Sequence, residues 1–86
     1  MFPPVIDMTA TGKKIERLMR EKEITVTELT CRMGFATTNA VYKWLRGETL
    51  PTLDNLVVLS SILEVAMDDI IRLKPNERGP EGVSED

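Results

Sequence analysis

The chain has 86 residues, a formal net charge of −3 from 11 basic and 14 acidic side chains, and 42% hydrophobic against 29% charged residues. That is the make-up of one small globular domain; it excludes a wholly disordered chain, and no apolar run reaches the roughly 18 residues of a membrane span. Histidine is absent and Cys31 is the single cysteine, which excludes an internal disulfide, a Cys/His zinc site and any Ser-His or Cys-His nucleophile pair.

There is also no glycine-rich phosphate loop. A binding module is therefore expected, not an enzyme, with no cofactor, metal or small-molecule ligand implied. The start, Met1-Phe2-Pro3-Pro4, has neither the basic end nor the apolar stretch of a secretory signal, so a cytoplasmic protein without a membrane partner is expected. Charge is unevenly spread. Residues 1–47 carry eight basic and five acidic side chains, and residues 48–86 carry three basic and nine acidic ones. The overall charge hides a basic half.

Residues 1–7 read as an extended lead, since Pro3-Pro4 oppose a helix. From Met8 to Lys22 the period is helical, with Ile15, Leu18 and Met19 on one side and Lys13, Arg17 and Arg20 on the other. Asp7 or Thr9 is the expected cap. Thr25-Val26-Thr27-Glu28 forms a capping box. It opens a two-turn helix to Met33 that is expected to bury Val26, Leu29 and Met33. Gly34 stands where a left-handed residue closes a helix.

Phe35-Ala36 turn the chain. Thr37 is the expected cap of a third helix, Thr38 to Arg46, ending at Gly47. Thr52 caps a fourth, Leu53 to Leu63. A fifth runs from Ala66-Met67 through Leu73, with Asp68 and Asp69 favourably placed in its first turn. Residues 75–86 are rich in Gly, Pro and Glu and are expected to form a disordered acidic tail. The division is thus a lead over 1–7, a helical domain over 8–74 and the tail.

Two short helices joined by a glycine turn are the layout of a helix-turn-helix. On a wheel of the third helix, Ala40, Val41 and Trp44 fall on one side, with Leu45 at the edge. Thr38, Asn39, Tyr42, Lys43 and Arg46 fall on the other, without a carboxylate. Asn suits adenine and Lys suits guanine in a major groove, and hydroxyls and cations suit phosphates.

Thr11 to Leu73 resembles the Cro/repressor-type helix-turn-helix domains of the XRE-like family. The likeness rests on Gly12-Lys13-Lys14-Ile15, Thr25 with Glu28-Leu29, Gly34, Val41-Tyr42-Lys43-Trp44, Arg46-Gly47, Leu50-Pro51, Leu53-Asp54-Asn55-Leu56 and Asp68-Asp69-Ile70-Ile71. It implies an all-α, five-helix, lambda-repressor-like DNA-binding fold. It further implies a regulator, by family habit a repressor, that binds double-stranded DNA as a homodimer on a near-palindromic operator. The expected DNA contacts are Thr37, Thr38, Asn39, Tyr42, Lys43 and Arg46, with Lys13 and Arg17 on the first helix.

Three departures from the family pattern matter. Gly34 to Trp44 is one residue longer than the common spacing, which leaves open which of Thr37, Thr38 and Asn39 faces the groove. Val26 stands where many members carry a phosphate-binding glutamine. Thr30 replaces a small alanine where helices 2 and 3 cross, and either packs less closely or bonds back to a carbonyl.

Plainer readings stand beside these. Trp44 reads as core, and Cys31 as a small half-buried hydrophobe. The stripe of Lys13, Arg17 and Arg20 also suits an ordinary solvated face. Leu53, Leu56, Val57 and Leu63 suffice as the inward face of helix 4. Val58 and Ile62, extended by Ile71 and Leu73, make a candidate dimer strip. That strip and the acidic C-terminal part also suit an alternative, a protein-interaction module such as an antitoxin or docking subunit.

Overall fold

The computed structural model describes residues 5–75, so the expected tail beyond Pro75 and the first four residues lie outside it. Five helices follow in order: α1 (Met8–Glu21), α2 (Val26–Met33), α3 (Asn39–Arg46), α4 (Leu53–Leu63) and α5 (Met67–Ile70). The fold is all-α. Among the described residues the one extended pairing is an antiparallel bridge between Ile6 and Leu73.

Three helix starts are set by short polar side chains. The Ala10 N–H donates to Asp7 Oδ1 at 2.9 Å, the Glu28 N–H to Thr25 Oγ1 at 3.0 Å, and the Asn55 N–H to Thr52 Oγ1 at 3.3 Å. Each bond satisfies an amide that has no partner within its helix. The capping box at Thr25 forms only by half, because the Glu28 carboxylate turns to Arg32, one turn on, at 2.7 Å. α3 starts one residue later than expected. Thr38 precedes it without a side-chain cap bond, and the Asn39 N–H donates to Thr37 Oγ1 at 3.4 Å.

Four helix ends share one closure. The N–H groups of Ile24, Phe35, Glu48 and Val65 reach back to the carbonyls of Met19, Thr30, Lys43 and Ser60 at 2.9, 3.1, 2.9 and 3.1 Å. This is the six-to-one bond of a Schellman motif, which needs a left-handed residue just before the donor. Those residues are Glu23, Gly34, Gly47 and Glu64, with φ of 58°, 79°, 77° and 60°. Glycine takes such angles freely, and each glutamate does so at a cost of about 1 kcal/mol.

α5 stops at Ile70, short of the expected end at Leu73. The reason is long-range: residues 72–74 are drawn into extended pairing with residues 5–7. The Asp7 N–H donates to the Arg72 carbonyl and the Lys74 N–H to the Val5 carbonyl, both at 2.8 Å. Buried Thr11 adds a side-chain pin, its Oγ1 accepting the Arg72 N–H at 3.0 Å. Residues 5–7 are thus tied into the domain.

The core gathers Ile15, Leu18 and Met19 of α1, Ile24, Leu29 of α2, Val41 and Trp44 of α3, Leu56, Leu59 and Leu63 of α4, and Ile70 of α5. Trp44 is 3% exposed and meets Phe35 edge to face, ring centroids 5.7 Å apart. Its reading as core holds.

Other positions differ from expectation. α4 turns Leu56, Leu59 and Leu63 inward, whereas Leu53 and Val57 are 71% and 51% exposed. Val26 and Met33 are only half-buried. Cys31 is exposed, because it lies across α2 from Leu29 and Thr30. Thr30 is buried and its hydroxyl has no partner, so no bond back to a carbonyl forms.

Candidate nucleic-acid interface

α3 has eight residues, of which Val41 and Trp44 are buried and Ala40 and Leu45 half-buried. The helical period then leaves Asn39, Tyr42, Lys43 and Arg46 facing out. All four are exposed, Tyr42 by 44%, as is Thr37 in the preceding turn, while Thr38 is half-buried.

The C-terminal end of α3 is held against α1 at two glycines. A β carbon on Gly12 would stand 2.9 Å from the Leu45 carbonyl oxygen and nearer still to that of Trp44. One on Gly47 would stand 2.9 Å from the Thr9 α carbon. Backbone this close fixes the inward face of α3 and hence the direction of its outward one.

One carboxylate intrudes on that outward face. Glu48, just past the helix, holds Arg46 with 2.6 Å between Nε and Oε2. The hydrogen bond to Arg46 holds the Glu48 carboxyl below its usual range, with Lys43 adding to the effect, and the same bond raises the Arg46 guanidinium. Glu48 follows the closing Gly47, outside the helical period of α3, so the sequence pattern of the helix does not include it.

Lys13 and Arg17 lie elsewhere. With Ala10, Lys14, Glu16, Arg20 and Arg72 they line an open groove of about 480 Å³ on the outer side of α1, which no α3 residue lines. Arg17 makes an exposed ion pair with Glu21, Nε to Oε2 3.7 Å. A smaller groove of about 230 Å³ runs from Glu16 and Arg20 of α1 to Thr25 and Val26 at the start of α2 and to Leu45 of α3. Arg20 lines both. The expected contact residues therefore fall into two groups, one on α3 and one on α1. Lys14 and Arg72 join the second group unforeseen, Arg72 because only the pairing of residues 72–74 brings it there.

Of the candidate dimer residues, Val58 is 42% exposed and Leu73 exposed, whereas Ile62 and Ile71 are half-buried against the core. Among the described residues no group of His, Cys, Asp or Glu could hold a metal ion, and no helix is long and apolar enough to cross a membrane.

Two short helices, a turn closed by a left-handed glycine, and a second helix with a polar, cationic outer face define a helix-turn-helix domain. The chain belongs to the family of Cro/C1-type helix-turn-helix DNA-binding domains, whose sequence model matches residues 14–76. That family is one of DNA-binding domains, not enzymes.

Solved structures carry the same fold. The restriction-modification controller protein C.AhdI from Aeromonas hydrophila is 20% identical with a TM-score of 0.68, over 74% of this chain and 96% of that one. The biofilm master regulator SinR, solved in complex with DNA, is 23% identical with a TM-score of 0.63, over 70% and 95%. Hydroxypropylphosphonic acid epoxidase from S. wedmorenis is 18% identical with a TM-score of 0.69, but the 77% of this chain that matches spans only 35% of that enzyme. No curated protein sequence is significantly similar to the chain.

Proposed function

We propose that the protein is a sequence-specific transcriptional regulator, acting as a repressor, that inserts α3 into the major groove. The observation that carries this is the outward face of α3, where Asn39, Tyr42, Lys43 and Arg46 stand exposed on a helix without an acidic residue. Asn39 and Lys43 read base edges, with Thr37 and Thr38 at the start of the helix beside them. Tyr42 and Arg46 hold phosphates. Arg46 must exchange Glu48 for a phosphate, which makes Glu48 a brake on non-specific binding. Lys13 and Arg17 add backbone contacts from α1. The descriptions of C.AhdI as a controller and SinR as a regulator bound to DNA support the reading.

A homodimer on a near-palindromic operator completes the proposal. The exposed apolar face of α4, with Leu53 and Val57 beside Val58, is the surface that suits a two-fold contact. Leu73 belongs to the same proposed surface, with Ile62 and Ile71 supporting it from the core side. Selection of bound duplexes from a random library tests this. The expected result is a palindromic consensus with half-sites about 34 Å apart. A single unrepeated site refutes the dimer.

The same apolar face favours a second reading, a protein-interaction module. DNA affinity at two salt concentrations separates the two. A regulator that neutralises several phosphates loses affinity steeply with salt, and an interaction module shows no binding at either.

A further inference from the structure

We propose that the acidic segment of this chain beyond Pro75 lies over the cationic groove on α1 and shields it from other polyanions. Lys13, Lys14, Arg17, Arg20 and Arg72 line that groove, with Glu16 its one carboxylate. Among the described residues only Arg17 of the five has an ion pair, with Glu21 at 3.7 Å, both side chains more than half exposed. Such a pair is worth under about 1 kcal/mol. Five cations round one groove repel one another, and a flexible-length anion relieves that repulsion.

The chain delivers one. Residues 72–74 pair with residues 5–7, so the backbone leaves the domain beside the N-terminal end of α1, where Arg72 is already a wall of the groove. Eleven residues follow Pro75, with Glu77, Glu81, Glu85 and Asp86 against the single cation Arg78. Extended, they span up to about 36 Å. α1, with its 14 residues, is about 21 Å long. The segment is long enough to follow the groove from Arg72 to Arg20. Attraction over a screening length of about 8 Å requires no fixed register.

Neither readout of the test involves DNA, so this proposal fails or stands apart from the regulator reading. The full chain carries Cys31→Ser, which frees a unique thiol position, and Ser84→Cys bearing a nitroxide. The amide signals from Lys13 to Arg20 are expected to broaden at low salt. Glu77→Gln, Glu81→Gln and Glu85→Gln together are expected to remove the broadening. Absence of broadening along α1 overturns the proposal. So does broadening that arises only between molecules when nitroxide-bearing and isotope-labelled chains are mixed. The second readout is heparin affinity of the full chain. A groove covered four-fifths of the time binds about five-fold more weakly, so the triple Gln variant is expected to bind heparin about five-fold more tightly at low salt. Equal affinity overturns the shielding.

Discussion

Gly12 of α1 and Trp44 of α3 meet backbone to backbone, so closely that the Trp44 carbonyl occupies the space a β carbon on Gly12 needs. The same carbonyl accepts the Gly47 N–H at 3.0 Å, so it cannot turn aside without loosening the end of α3. Alanine gains about 1 kcal/mol over glycine within a helix, but an overpacked backbone crossing costs about 1–3 kcal/mol or more. Gly12→Ala is expected to lose about 2 kcal/mol net, a fall of about 10 °C in melting temperature for a domain of this size. An unchanged or raised melting temperature would show that the crossing is looser than described.

Glu23 closes α1 in the left-handed region where α2 and α3 use glycine. Glu23→Gly relieves that backbone and is expected to add about 1 kcal/mol to stability. At Glu64 the same change gains less, since Lys22 would lose the carboxylate 2.6 Å from its Nζ. Denaturant midpoints of the two variants check the order.

Thr30 carries a buried hydroxyl without a partner. Thr30→Val keeps the branched shape and removes the unpaired group, whose burial costs about 1–3 kcal/mol. Higher stability is the expected outcome in thermal unfolding. A loss would mean that the hydroxyl is satisfied in solution.

Acid acts through the exposed pair of Lys22 and Glu64. The Lys22 hydrogen bond holds the Glu64 carboxyl below its ordinary value of 4.5. A carboxyl with a lowered folded pKa stabilises the fold above that ordinary value, and the contribution is lost as pH falls below it. The melting temperature of the parent is therefore expected to drop on acidification from pH 5 more than that of Lys22→Ala. Parallel pH profiles would show that the Lys22–Glu64 pair does not contribute to acid sensitivity.

What was legible in the sequence is mostly local. Thr25, Thr52, Gly34 and Gly47 act on neighbouring amides, so caps and helix order could be read directly. The outward set on α3 followed from a clean separation of polar and apolar positions. α4 has no such separation: apolar residues surround it, and Leu59 could not be told from Leu53 or Val57 as core. The early end of α5 and the position of Arg72 depend on pairing with Val5 and Asp7, about 65 residues away, which no local period encodes. Glu48 was missed because it acts on Arg46 from outside the helix.

Recognition of DNA through the outer face of α3 is tested most directly by measuring the Kd of the library-selected duplex for the parent, Asn39→Ala and Lys43→Ala. Each substitution is expected to weaken binding by about 1–3 kcal/mol, roughly 5- to 150-fold, and to relax base preference at one position per half-site. Unchanged affinity and unchanged consensus in both variants would contradict recognition through α3.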